Sequence, residues 1–190
     1  MAIVFLFFTV SSAAKSLLEE RRNRTLDRIL AGPTRPAAVV LGKVVSIAAL
    51  ATAGFITVWV TTTLVFGATW GNPGAVLLLI IATVFALCGV ALFIASLARS
   101  AQQSDSIAAV VTFALALLGG NFVGPTDTPE LLRTLSKLTP NGWALRGFTE
   151  VSVDAASLSS LVRSLSALAA FGAVFGVFGL VRFQRLVAGR

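Results

Sequence analysis

Residues 44–98 read VVSIAALATAGFITVWVTTTLVFGATWGNPGAVLLLIIATVFALCGVALFIASLA, fifty-five positions without one charged side chain. A helix crosses a hydrocarbon core of ~30 Å with about 20 apolar residues, so this stretch holds two spans and the turn between them. The turn is Gly67 to Gly74, GATWGNPG, which combines glycines, an Asn-Pro step and Trp70, a side chain suited to the membrane interface. Backbone at lipid depth must satisfy its own hydrogen bonds, so both spans are helical, over roughly 36–66 and 75–98. Lys43, near the start of the first, can extend its ammonium to the interface along an apolar stem.

Outward from this hairpin, two further runs are long enough to cross: Ser106 to Gly124, after the polar link RSAQQSD at Arg99 to Asp105, and Ser164 to Val181, ahead of the tail RFQRLVAGR. The opening run, Met1 to Ala14, is shorter, about 21 Å at ~1.5 Å per residue, and reads as the inner part of a span. A cleavable signal peptide would carry its bases before the apolar core. Here none precede the run and five follow it between Lys15 and Arg28. The sequence therefore predicts an all-α, polytopic membrane protein, one transmembrane domain over 1–190 with about five spans (1–14, 36–66, 75–98, 106–124 and 164–181).

Composition agrees. Hydrophobic side chains make up 56% of the chain and charged ones 12%, with a mean hydropathy of +0.91, against roughly 45–50% and ~25% in soluble domains. Fifteen Lys and Arg against eight Asp and Glu leave +7, but the bases punctuate apolar runs instead of forming the single patch that nucleic acid requires. There is no His, and the one Cys, Cys88, lies inside an apolar run. That excludes an internal disulfide, Cys/His zinc sites and any His-dependent triad.

Orientation follows from the bases. Seven lie in Lys15 to Lys43, one at Arg99 and three in the tail, whereas Pro125 to Val162 carries three bases and four acids. The loops rich in bases alternate with the others, which places the N-terminus outside and the C-terminus in the cytoplasm of a multi-pass cell-membrane protein.

Among the polar segments, Lys15 to Ala31, KSLLEERRNRTLDRILA, is the most informative. At ~100° per residue, Leu18, Thr25, Leu26, Ile29 and Leu30 gather on one side, with Glu20, Arg21, Asn23, Arg24, Asp27 and Arg28 on the other. Glu20 and Asp27 stand four before and three after Arg24, a spacing that permits side-chain pairs, and Gly32-Pro33 ends the helix. Two roles fit this amphipathic helix: a solvated cuff that fixes topology, or a docking element, since mixed-sign charge gives a partner a registered surface.

On the outer side, TDTPELLRTLSKLTP has Asp127 or Thr128 as helix cap, Pro129 in the first turn, Glu130 near the N-terminus, and Leu131, Leu132, Leu135 and Leu138 on one face. Thr139 to Gly142 breaks that helix, and a second begins at the interfacial Trp143. The pair fits two short helices on or in the outer leaflet, and equally two ordinary amphipathic surface helices. No base or carboxylate stands at mid-depth in any span, which disfavours a proton-coupled carrier or ion pump acting alone. Gly172, Gly176 and Gly179 alternate with Phe171, Phe175 and Phe178, a pattern that permits close helix contact. No phosphate-binding glycine loop, HExxH or GxSxG motif is present, so the chain is not expected to be an enzyme or to hold a cofactor or metal, and any driven work draws energy from another chain.

With those segments placed, the sequence resembles the transmembrane subunit of an ATP-binding-cassette exporter, the type-2 permease family. Glu19-Glu20-Arg21 through Thr25-Leu26-Asp27-Arg28-Ile29-Leu30 and Pro33, then Leu41-Gly42-Lys43, are similar to the family segment that enters the next span. Ser96-Leu97-Ala98-Arg99-Ser100 with Gln102 or Gln103 resembles its cytoplasmic link. Leu118 to Gly124, Pro129, Leu135, and Leu138 through Trp143 to Arg146-Gly147-Phe148 resemble its pattern before the last span.

The resemblance implies that Leu18, Glu19, Glu20, Arg21, Arg24, Thr25, Leu26, Asp27 and Arg28 form a coupling helix seated in a cytosolic ATPase. It implies that Pro129, Leu135, Pro140, Trp143 and Arg146 belong to an extracytosolic re-entrant pair, and that two permease chains, identical or different, pair across a pathway and take two ATPases. It also implies a further span and an outer loop ahead of the position of Met1, so the sequence is expected to be a shortened chain or one half of a split permease. A non-transporting membrane scaffold or assembly protein, an inactive permease fragment and a stand-alone channel remain as alternatives. Weakly polar spans suit drugs, lipids or lipid-linked polymers without singling one out, and heavy Ala, Val, Gly and Arg use with few Lys points to a GC-rich bacterial genome.

Overall fold

The apolar runs from residue 36 onward become helices in the computed structural model, which describes residues 9–10, 36–98, 100–122, 129–152 and 161–188. The elements are α1 (Pro36–Phe66), α2 (Pro73–Leu97), α3 (Ala101–Leu118), α4 (Glu130–Ser136), α5 (Pro140–Ser152) and α6 (Val162–Ala188). Among the described residues three helical stretches are long and apolar enough to cross a membrane, Leu41–Phe66, Pro73–Leu97 and Val162–Arg182, and Gln102–Leu118 is a shorter apolar one. Thr9 and Val10 are helical, with Val10 buried. The rest of the 1–14 run, the amphipathic segment 15–31 with all nine of its candidate docking residues, Arg99 and Gly124 lie outside the described residues.

Local chemistry sets the boundaries. Gly67 (φ 63°) and Gly71 (φ 77°) take the left-handed backbone that the α1–α2 turn needs. The Asn72 side chain then accepts from the N–H of Gly74 (2.9 Å) and Ala75 (3.3 Å), and Pro73 fills the first helical position, where a missing N–H costs nothing. Trp70 Nε1 donates to Thr62 Oγ1 at 3.1 Å, folding the turn back onto α1.

The second hairpin is tighter than the sequence indicates. Ala98 leaves α2 in an extended conformation, and the Ser100 hydroxyl accepts from the Gln103 N–H at 3.1 Å, so the expected polar link becomes the first turn of α3. That helix also stops earlier than expected, at Leu118. The Gly119 N–H bonds the Leu115 carbonyl at 2.8 Å and the Asn121 N–H bonds that of Ala116 at 3.1 Å, with Gly120 at φ 79°, a glycine stop that precedes the end of the apolar run.

Two expectations for the next segment are corrected. Pro129 stands immediately before α4, not in its first turn, because its ψ of 147° is extended, and no side chain caps the helix there; Asp127 and Thr128 lie outside the described residues. The expected break between two helices is present, but it covers 137–139 and does not extend through Gly142. The Thr139 hydroxyl accepts from the Gly142 N–H at 3.1 Å, which makes Thr139 the cap of α5 and Pro140 its first residue.

Packing centres on α2. It is apolar on every side, and most of it is buried, as expected of a helix surrounded by others. Its most extensive contact is with α6; α1, α3 and α5 touch other faces. A methyl group added at Gly89 would stand 2.5 Å from the Gly172 carbonyl oxygen, and one at Gly179 would stand 2.8 Å from the Phe93 nitrogen. Further along, Arg182 Nε donates to the Ser96 carbonyl at 3.2 Å. Advancing together from Gly89–Gly172 to Ser96–Arg182, the two helices run parallel. By contrast α1 lies at the periphery, with Leu41, Val45, Leu50, Leu64 and Phe66 among many exposed apolar side chains, the expected surface for contact with lipid.

Candidate functional site

The described candidate residues fall in two places, the α4–α5 pair and the glycine face of α6. The pair is a sharp helical hairpin. Gly142 sits so close to the Ser136 backbone that any side chain there would collide with it, and the Ser136 carbonyl also accepts from Thr139 Oγ1 at 3.0 Å. Trp143 closes the corner by donating Nε1 to the Lys137 carbonyl at 2.8 Å. The Arg146 guanidinium lies 5.2 Å from the centroid of the Trp143 ring, within cation–π range. Pro140 is buried, Leu135, Trp143 and Arg146 are half-buried, and Pro129 is exposed.

Three contacts wedge α5 into the end of the bundle. Phe148 stacks on Phe55 of α1 with ring centroids 5.2 Å apart and meets Trp70 edge-on at 5.9 Å. Gly147 admits Leu79 of α2 and Ser164 of α6, which would lie 2.6 and 3.3 Å from an added methyl. Gly71 of the α1–α2 turn abuts the Val151 carbonyl with no room for a side chain. Gly119, at the end of α3, faces Asn141, whose Cβ would lie 2.8 Å from a methyl placed there. Asn141 is fully buried, and neither of its amide atoms has a protein hydrogen-bond partner. A buried amide without a protein partner is costly. Leu131 and Leu138 of the hairpin are exposed.

On α6 the three glycines differ. Gly172 lies against the Phe85 ring too closely for any side chain, Gly179 against the Leu92–Phe93 backbone, and Gly176 at 3.7 Å from the Gly89 Cα, an ordinary contact. Phe175 meets Phe93 at 5.4 Å and stacks on Phe171 at 6.1 Å. Sequence reasoning passed over Gly89, the reciprocal half of this seam; its signal was a lone glycine inside an otherwise uninterrupted apolar run. It also passed over Phe55, which carried none, since aromatic residues are common in spans, and it quoted Phe148 only as part of a family pattern, without its partner.

An all-helical chain with long apolar helices and a wedged helical hairpin ahead of the last one is matched along residues 1–181 by the profile of ABC-2 family transporter proteins. The chain belongs to that family. Among curated proteins, it is 27% identical over 179 residues to the linearmycin resistance permease protein LnrN of Bacillus subtilis (strain 168), an alignment that takes in 94% of this chain and 46% of that one. The chain thus spans less than half the length of this relative. Membership and the apolar helices together make it an integral membrane protein of the permease type.

Proposed function

We propose that the chain supplies membrane-spanning helices to the pathway of an ATP-binding-cassette exporter and is driven by a separate cytosolic ATPase that docks on residues 15–31. The observation that carries this is the family match, which extends over residues 1 to 181, a range that takes in the amphipathic segment as well as the spans. In this reading Leu26 and Leu18 seat the helix in the ATPase while Glu19, Glu20, Arg21, Arg24, Thr25, Asp27 and Arg28 set its register. A second permease chain, identical or different, completes the pathway.

Closure of the ATPases pushes on the 15–31 helix and, through it, on α1. Two features support α1 as the element that moves: it is the least buried of the three helices long enough to cross a membrane, and its chief aromatic contact is Phe55 on Phe148. Tilting α1 would therefore displace α5 at the far end, while α2 and α6, locked along their glycines, stay as a fixed body. Packed elements of this kind switch between discrete arrangements. LnrN is named for linearmycin resistance; by analogy, the cargo is a compound to which export gives resistance.

The test is co-purification of the tagged chain from detergent-solubilised native membranes, with the partner identified by peptide mass, followed by ATPase assays in proteoliposomes. An ATP-binding-cassette ATPase should be recovered, and Leu26→Asp should abolish its stimulation while leaving membrane insertion intact. Full binding and stimulation by Leu26→Asp would overturn the docking assignment. Recovery of the chain with no ATPase would indicate a scaffold instead.

A further inference from the structure

Buried side-chain polar atoms without a protein hydrogen-bond partner are not scattered through this bundle. Among the described residues there are eight, on Thr83, Thr112, Asn121, Asn141, Glu150 and Ser164. Asn141 and Glu150 belong to α5, and the other four lie where its neighbours come to its level. Ser164 and Leu79 both meet Gly147, and Thr83 stands one helical turn from Leu79 along α2. Thr112 stands two turns before Gly119, on the side of α3 that Gly119 turns toward Asn141. The opposite end of the α2–α6 pair, where Arg182 meets Ser96, has none among the described residues.

Four of the eight atoms are the amide nitrogens and oxygens of two asparagines, Asn121 and Asn141, which makes the joint between α3 and α5 the centre of this polar region. The turn that ends α3 lies along the start of α5. Gly119 faces Asn141 Cβ, and a methyl group at Gly120 would stand 4.0 Å from Leu145 Cδ2. Asn121 follows directly, its N–H held by the Ala116 carbonyl at 3.1 Å.

Each amide presents two N–H donors and an oxygen acceptor, and leaving such groups buried and unmade costs more than an ordinary hydrogen bond gains. Protein interiors meet this need with ordered water, which makes about three hydrogen bonds to polar groups of this kind. The donor set points the same way. A cation would engage only the two amide oxygens and an anion only the N–H groups, whereas water accepts from one amide and donates to the other. Because Asn141 is 0% exposed, its partner is an enclosed molecule and not bulk solvent or a lipid headgroup.

We infer that an ordered water molecule bridges the Asn121 and Asn141 side chains and joins α3 to α5. The bridge requires neither an ATPase nor a cargo, so it stands or falls separately from docking on 15–31.

The test is radiolytic hydroxyl-radical footprinting of the purified full chain in detergent micelles, read by peptide mass. Radicals formed from an enclosed water oxidise the side chains beside it where bulk solvent does not reach. Pro140 is buried and adjoins Asn141, whereas Leu168 is fully buried in the apolar core. Corrected for intrinsic reactivity, Pro140 should be oxidised several-fold faster than Leu168, and Asn121→Leu with Asn141→Leu should bring it down to the Leu168 rate. Equal rates in the wild type, or an undiminished Pro140 rate in the double variant, overturn the bridge.

A double-mutant cycle supplies a second readout. A water shared by two amides is lost with either one and leaves the other amide orphaned. Asn121→Leu and Asn141→Leu should therefore each lower the thermal midpoint in detergent by about 2–4 °C or more, and the double variant should lose no more than the worse of the two. Additive losses overturn the shared water. So does a midpoint that rises in either single variant, the result expected when an amide is removed from a dry joint.

Discussion

Single residues in this molecule are judged by what they touch, and the glycines show it most sharply. Gly89 is opposed by a carbonyl oxygen 2.5 Å from where its side chain would begin, whereas Gly176 faces only the Gly89 Cα at 3.7 Å. Gly89→Val should therefore lower the thermal midpoint in detergent by an amount equivalent to ~1–3 kcal/mol or more, the usual cost of overpacking a tight contact. Gly176→Ala should be neutral or gain roughly 0.5–1 kcal/mol from the helix preference of alanine. Size-exclusion chromatography after heating separates the two, and equal effects would mean that the seam is looser than its geometry. At the same scale, Thr139→Ala removes the hydroxyl that accepts from Gly142. A lost cap costs about 1 kcal/mol, so amide exchange at 141–144 should accelerate while Thr139→Ser remains close to wild type.

At the scale of elements, existence was easier to read than facing. Four long apolar runs and the GATWGNPG turn were legible because spans must be helical and about 20 residues long. Which sides of those helices meet each other was not, since lipid-facing and core-facing positions are equally apolar. Leu79 and Ile81 illustrate this: neighbours in one run, the first is fully buried against the bundle and the second is 54% exposed. Leu79→Ala should cost ~2–5 kcal/mol by leaving a cavity, and Ile81→Ala well under half of that; comparable losses would displace α2 from the centre. The α4–α5 boundary was misread for a different reason. Thr-Pro-Asn-Gly looks like a breaker in sequence, but a threonine cap followed by proline at the first position is also how a helix begins, and only the Thr139–Gly142 bond decides between them. The amphipathic 15–31 segment, by contrast, was legible as a pattern because its charges mark one face outright.

For the whole molecule the consequence of the base distribution is an orientation. If the Lys43 and Arg182 end lies in the cytoplasm and the α4–α5 pair outside, as the positive-inside rule predicts, Lys137→Cys in a Cys88→Ala background should be labelled by a membrane-impermeant maleimide in intact cells. Gln102→Cys should be labelled only after permeabilisation. The reverse pattern would invert the protein and remove the 15–31 segment from reach of any cytosolic partner. Family membership, covering residues 1–181, and the wedged position of α5 between α1, α2 and α6 then give a permease body with one peripheral helix and one fixed pair.

The parallel union of α2 and α6 also has a consequence in time. Ser96 and Arg182, the two ends of one hydrogen bond, are 86 residues apart in the chain, with α3, α4 and α5 made in between. The closest helix packing among the described residues therefore cannot form until α6 has been made, and non-local contacts of this kind form slowly. Throughout that interval the glycine face of α2 is uncovered, a stage at which incompletely packed chains associate wrongly. Membrane chaperones and proteases acting on this protein are expected to see the chain before α6 arrives, and chains that end ahead of Gly172 should be the ones they remove.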